Sequence, residues 1–218
     1  MEVEYTEAHW KLLDKKREIA LSVLRKLRSL GMVGYVYGSV ARGDVREESD
    51  VDVVVFNPNV LNLDLIEADH RFVIQATPFS TPKAYISLDP EEKEVITFPL
   101  GKLKRDEEEF FRFGGLIDEE GILRKERVSG VNKRLQLIIP TEKGHEEMPL
   151  KGNEGLASKL LKVSISTIME REKLLTKRME KGRTGVFLRY DLGEDESFES
   201  SIVLLSKNNK FFRKMVND

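Results

Sequence analysis

The chain has 218 residues, 34% of them charged and 40% hydrophobic, with a net charge of −2 and no cysteine. That composition describes a soluble globular protein and excludes disulfides, thiolate nucleophiles and Cys-based zinc sites, while the near-neutral balance confines any polyanion-binding surface to a local basic patch. His9, His70 and His145 are widely separated, which argues against a His-rich metal site.

Residues 6–30 predict a helix. Thr6 caps it, Trp10, Leu13, Ile19, Leu21, Leu24, Leu27 and Leu30 form the apolar stripe between charged positions, and Gly31 ends it. A strand over 33–37 runs into a turn and short helix at 38–42, then a valine-rich strand over 51–56 that Asn57-Pro58-Asn59 breaks. Residues 61–72 read as a helix, 83–88 and 95–98 as a hairpin around Asp89-Pro90-Glu91-Glu92, and 101–112 as a charged helix. Residues 121–134 read as loop or irregular β, 134–139 as a strand stopped by Pro140, and 141–146 as a charged turn or helix start with His145 exposed. Helices over 157–161 and 165–175, a strand over 184–192 and a helix over 197–214 follow.

No apolar run reaches the ~18 residues a membrane span needs, and the Met-Glu-Val-Glu-Tyr start lacks a signal peptide's basic residues. A cytoplasmic protein without membrane contact is therefore expected. Abundant Glu and Lys lean towards a thermophilic source.

The densest chemistry lies in Val36-Tyr37-Gly38-Ser39-Val40-Ala41-Arg42-Gly43-Asp44 and Glu48-Ser49-Asp50-Val51-Asp52-Val53-Val54-Val55-Phe56. In a strand, residues two apart share a face, so Asp50 and Asp52 point one way and Val51, Val53 and Val55 the other. Paired hard carboxylates suit Mg²⁺ or Mn²⁺ carried with a polyphosphate. Gly38 lets the backbone approach phosphate, and Ser39 offers its amide and hydroxyl. The following short helix directs N–H groups at anions. Arg42 is either a bidentate phosphate contact or a salt-bridge partner of Asp44 or Glu47. Ser49 is either a further nucleotide contact or a cap at the start of the strand.

On these residues the chain resembles the nucleotidyltransferase superfamily, the DNA polymerase beta-like group, whose pattern is Gly-Ser, about ten residues, then Asp-h-Asp. The fuller form, Gly38-Ser39-Val40-Ala41-Arg42-Gly43 with Ser49-Asp50-Val51-Asp52, looks like the minimal nucleotidyltransferases of archaea and bacteria. The resemblance implies an α+β fold with a mixed sheet. It also implies transfer of NMP from an NTP to a hydroxyl by a two-metal mechanism, with Asp50 and Asp52 as metal ligands. The family adds a third carboxylate from a neighbouring strand. Asp89 is the candidate, although Leu88-Asp89-Pro90-Glu91 also reads as an ordinary turn. Asp64 and Glu67 read as a solvated helix face. A chain lacking the third acid would instead be a degenerate member acting as a nucleic-acid-binding regulator or nucleotide sensor.

Residues 157–175 resemble a helix-turn-helix, with Ser158 at the crossing, Ser164 capping the second helix and Lys162 where glycine is usual. Residues 157–190 hold nine Lys/Arg against three Glu, and Lys181-Gly182-Arg183-Thr184-Gly185 with its following strand looks like a wing. Lys162, Arg171, Lys173, Lys177, Arg178 and Arg183 are the candidate nucleic-acid contacts. The expected organisation is a nucleotidyltransferase domain over 1–100, a connecting helix and β segment over 101–149, and a winged-helix-like domain over 150–218. Phe110, Phe111 and Phe113 are expected to pack the domains together. The acceptor is expected to be RNA, DNA or a protein.

Overall fold

The computed structural model describes residues 1–217, a mixed α+β architecture. In chain order the elements are β1 (Glu2–Glu4), α1 (Glu7–Ser29), β2 (Tyr35–Tyr37), α2 (Ser39–Arg42), β3 (Val51–Val54), α3 (Val60–Leu63) and β4 (His70–Gln75). Next come β5 (Lys83–Ser87), β6 (Glu94–Pro99), α4 (Arg105–Gly114), β7 (Leu116–Ile117), α5 (Glu119–Leu123), β8 (Gly130–Val131), β9 (Gln136–Thr141) and β10 (Gly144–Pro149). The chain closes with α6 (Glu154–Leu161), α7 (Ile165–Lys181), β11 (Leu188–Asp191), α8 (Phe198–Asn208) and α9 (Lys210–Asn217). Among the described residues no helix is long and apolar enough to cross a membrane.

The chain divides into two compact units. The first comprises Met1–Ser22, Tyr35–Val51 and Arg105–Thr184. Its strands β1-β10-β9-β8 form an antiparallel sheet, and β2 pairs antiparallel with β7 through Val36↔Ile117. Phe113, Val131, Leu137, Leu150, Ala157, Leu161, Val163 and Ile168 form one core cluster, which buries α6 and α7 against the β8–β10 sheet. Lys162 ends α6 in the left-handed conformation at φ 54. Ser158 Oγ donates to the Val163 carbonyl at 2.6 Å, closing the turn between the helices. Ser164 then caps α7 by accepting from the Thr167 amide. Its own amide and hydroxyl donate to Glu109 Oε2 at 2.6 and 3.0 Å, so a buried carboxylate from α4 sits at the α7 N-terminus, where the helix dipole favours negative charge.

The second unit comprises Val23–Gly34, Asp52–Lys104 and Gly185–Asp218. Strands follow the order β11-β4-β5-β6-β3, with β11–β4, β4–β5 and β5–β6 antiparallel. Gly34 sits in a crowded spot, where a Cβ would stand 2.8 Å from Leu27 Cδ1 and 3.1 Å from Val53 Cγ1.

The structure corrects several expectations. The helix expected over 61–72 is a four-residue α3 followed by strand β4. The helix expected over 197–214 breaks at Asn209, whose Oδ1 accepts from the amides of Phe211 and Phe212 and so starts α9 afresh. Of residues 141–146, Glu142 and Lys143 form the expected charged turn, as the two-residue link of the β9–β10 hairpin with Thr141 opposite Gly144, while 144–146 are strand and not a helix start. His145 is 5% exposed, not a surface residue. The 150–218 stretch does not form a unit of its own. Leu188–Asp191 pairs with β4, Leu188 opposite Gln75, and so belongs with the 52–104 segment.

Candidate functional site

Strand β2 delivers the chain to Gly38, which adopts φ 88, ψ −150 at the start of α2. Side-chain-bearing residues avoid that region, so glycine is needed for its backbone freedom. Crowding plays no part, because a Cβ there would meet nothing within 4 Å. The Gly38 amide donates to the Gly115 carbonyl at 3.0 Å, and its carbonyl accepts from the amides of Ala41 and Arg42. Val40, Ala41 and Arg42 are buried, leaving Ser39 as the half-buried residue of the turn. Gly43 ends it at φ 112, where a Cβ would stand 2.7 Å from Arg127 Cδ.

Helix α1 holds the carbonyl side of this loop, with three polar side chains reaching different points along it. His9 Nε2 lies 2.7 Å from the Gly43 carbonyl. Arg17 donates to the carbonyls of Val40 (3.1 Å), Ala41 (3.1 Å) and Glu126 (2.6 Å). Lys16 Nζ donates to the carbonyls of Glu47 (2.9 Å) and Ser49 (2.7 Å). Burial and then neighbouring Arg127 lower the Arg17 guanidinium to about 10, which leaves it charged at neutral pH. None of these three was read as functional from the sequence, yet a signal existed. Arg17 sits between Leu13 and Ala20 on the buried stripe of α1, where a surface arginine does not belong.

Beside this loop, Tyr5 stacks on His9 with ring centroids 3.7 Å apart, and its hydroxyl lies 2.6 Å from His145 Nδ1. Burial, reinforced by the Asp44 carboxylate, pushes the Tyr5 phenol up, so it stays protonated.

Asp50 and Asp52 are both half-buried and flank Val51, which is 3% exposed, with Val53 at 1%. Asp52 therefore lies on the face of β3 opposite those valines. Burial raises the Tyr85 phenol, the Thr97 hydroxyl hydrogen-bonds it, and the Asp52 carboxylate raises it further. Tyr85 and Thr97 are directly paired across β5 and β6. The Thr97 hydroxyl is buried and donates to the Ala84 carbonyl at 3.2 Å.

Among the remaining sequence candidates, Arg42, Ser49, Asp89 and Arg171 meet protein partners. Arg42 is 6% exposed. Its Nε and Nη2 donate to Asp44 Oδ1 and Oδ2 at 2.9 and 3.1 Å, and Nη1 donates to the Gly114 carbonyl at 2.7 Å. The buried guanidinium thus tethers Asp44 to the Gly114 backbone. Ser49 Oγ accepts from the Arg46 amide at 2.8 Å and closes a turn. Asp89 Oδ1 accepts from the amides of Lys93 and Glu94 at 2.9 and 2.8 Å, and Oδ2 from the Glu91 amide at 3.1 Å. It caps the β5–β6 turn. Lys162, Lys173, Lys177, Arg178 and Arg183 are exposed. Arg171 is half-buried, with its guanidinium carbon 4.6 Å above the Phe110 ring, so it braces α7 on α4. Phe113 joins the core of the first unit and Phe111 is 2% exposed beside Tyr37, 4.9 Å centroid to centroid.

Among the described residues no group of three or more His, Cys, Asp or Glu side chains converges to hold a metal ion by itself. No curated protein and no solved structure matches the chain. Residues 16–111, which run from the loop-binding side chains of α1 through the Gly38 turn and the Asp50–Asp52 pair into α4, match the family model of the nucleotidyltransferase domain.

Proposed function

We propose that the protein transfers a nucleoside monophosphate from an NTP to a hydroxyl of a macromolecular acceptor. The carrying observation is Gly38. It holds a glycine-only conformation at the head of a helical turn, followed in sequence by the Asp50–Asp52 pair set among buried valines, within the stretch that matches the domain model. In this reading Gly38 and Ser39 bind the triphosphate through backbone amides and the Ser39 hydroxyl. Asp50 and Asp52 hold Mg²⁺ or Mn²⁺. When bound, the divalent ion supplies charge neutralisation for the phosphates and the departing pyrophosphate. His9, Lys16 and Arg17 keep the loop between the two motifs in one conformation, so its amides are not reorganised when the nucleotide arrives.

The two-ion form of the reaction asks for a third carboxylate, and Asp89 is the acid the sequence offers. Its three backbone hydrogen bonds support a turn-capping role instead, which leaves metal binding to Asp50 and Asp52. The test is incubation of the full chain with each α-labelled NTP, Mg²⁺ or Mn²⁺, and RNA, DNA or protein acceptors. Label transfer with pyrophosphate release is expected. Asp50→Asn/Asp52→Asn should lower it by about a hundredfold or more, since metal-derived charge stabilisation amounts to several kcal/mol. Label transfer that survives this double substitution would sink the assignment.

A further inference from the structure

The second unit carries an aromatic and cationic surface that nucleotidyl transfer itself does not use. Phe79 from the loop after β4, Phe187 just ahead of β11 and Phe211 of α9 meet edge to face. The Phe79–Phe211 and Phe187–Phe211 centroids are 6.1 and 5.8 Å apart. Large rings of this kind normally close a core, yet Phe79 is 63% exposed and Phe187 38%. The Lys210 ammonium lies 5.2 Å from the Phe211 centroid, and Lys104 Nζ donates to the Phe79 carbonyl. The backbone at Gly101 abuts α9 so closely that a Cβ would stand 2.2 Å from the Met215 carbonyl oxygen.

These contacts gather residues 76–83, 100–104 and 207–216 at one place. In a chain where 38 of 218 residues are Asp or Glu, none of these three stretches contains either. The last contributes Lys207, Lys210, Arg213 and Lys214. The surface is therefore positive within a chain of net charge −2.

We propose that this surface binds single-stranded nucleic acid. Exposed ring faces stack on unpaired bases, and the cations around them meet the phosphates. A duplex hides its base faces in its own stack, and an apolar protein partner would leave the cations unmatched. The assignment rests on the transfer reading only in naming the acceptor as a nucleic-acid strand, since binding requires no turnover.

The test is fluorescence anisotropy of the full chain with a labelled 20-nucleotide oligo(U), the same length of duplex RNA, and vesicles of phosphatidylglycerol and phosphatidylcholine. The single strand is expected to bind best, with affinity falling steeply as salt rises. Phe79→Ala and Phe79→Leu should each weaken binding about tenfold, because leucine keeps the apolar volume and loses the stacking face. Lys210→Glu/Lys214→Glu should weaken it further and flatten the salt dependence. The Asp50→Asn/Asp52→Asn protein should bind the strand as the native chain does. Absence of oligo(U) binding, binding indifferent to both sets of substitutions, or equal binding of duplex or vesicles through the same residues would overturn the proposal. Strand binding without transfer would count against the transfer reading alone, and transfer without strand binding against this surface alone.

Discussion

Arg42 and Gly38 lie four residues apart, and their environments give them different kinds of work. The Arg42 guanidinium is spent on Asp44 and the Gly114 carbonyl, whereas Gly38 is set by a backbone conformation. Gly38→Ala is accordingly expected to cost about 1–3 kcal/mol in urea unfolding. It should also weaken NTP binding, measured by titration of a fluorescent NTP analogue. At Asp89 the prediction separates two chemistries. Asp89→Ala removes the acceptor for three backbone amides and should lower stability by about 1–3 kcal/mol, while transfer by the folded protein persists. A loss of turnover at unchanged stability would restore Asp89 as a metal ligand. The buried role of Arg17 was hidden because side-chain type suggests a surface. Its place on the apolar stripe of α1 was the legible clue.

At the scale of elements, α1 and the β5–β6 hairpin were legible because periodicity and turn chemistry agree there. The stretch 61–75 was not, because a weak apolar pattern suits either element. The antiparallel partners, β5 next along the chain and β11 distant in sequence, decide for strand from His70 onward. The turn between α6 and α7 carries its own test. Lys162 holds φ 54, a conformation that disfavours a Cβ, so Lys162→Gly should raise stability by about 0.5–1 kcal/mol in urea melts. Glu109→Gln should act in the opposite sense, by about 1–2 kcal/mol, because it weakens charge-assisted bonds to Ser164 and leaves the α7 N-terminus without its anion.

At the scale of the whole molecule, His70 couples stability to pH. Its ring donates to Glu92 Oε1 at 2.9 Å and Asp69 Oδ1 at 2.8 Å, and Arg189 also reaches Glu92. The Glu92 hydrogen bond first, and Asp69 next, raise the His70 pKa above 6.5, while the bond from His70 lowers Glu92 below 4.5. The His70 contribution to stability is full below 6.5 and fades as pH climbs through its raised value. The Glu92 contribution is present above 4.5 and fades as pH falls through its lowered value. The pair therefore stabilises most between 4.5 and 6.5. The Tm advantage of the native chain over His70→Gln should be larger near pH ~6 than near pH ~9, measured by thermal melts across that range.

The sequence by itself determined the Gly38-Ser39 turn, the Asp50-Val51-Asp52 pair and the domain to which residues 16–111 match. Those features are local: glycine's freedom and the two-residue period of a strand act within a few positions of chain. Only the tertiary structure decided which charged groups are spent inside the protein. Arg17, Arg42 and Asp89 find backbone and carboxylate partners, two of them across long stretches of chain, while Lys210 ends beside an exposed aromatic cluster. The physical reason is that a polar side chain's role depends on who satisfies its hydrogen bonds, and long-range partners of that kind leave no pattern in local sequence.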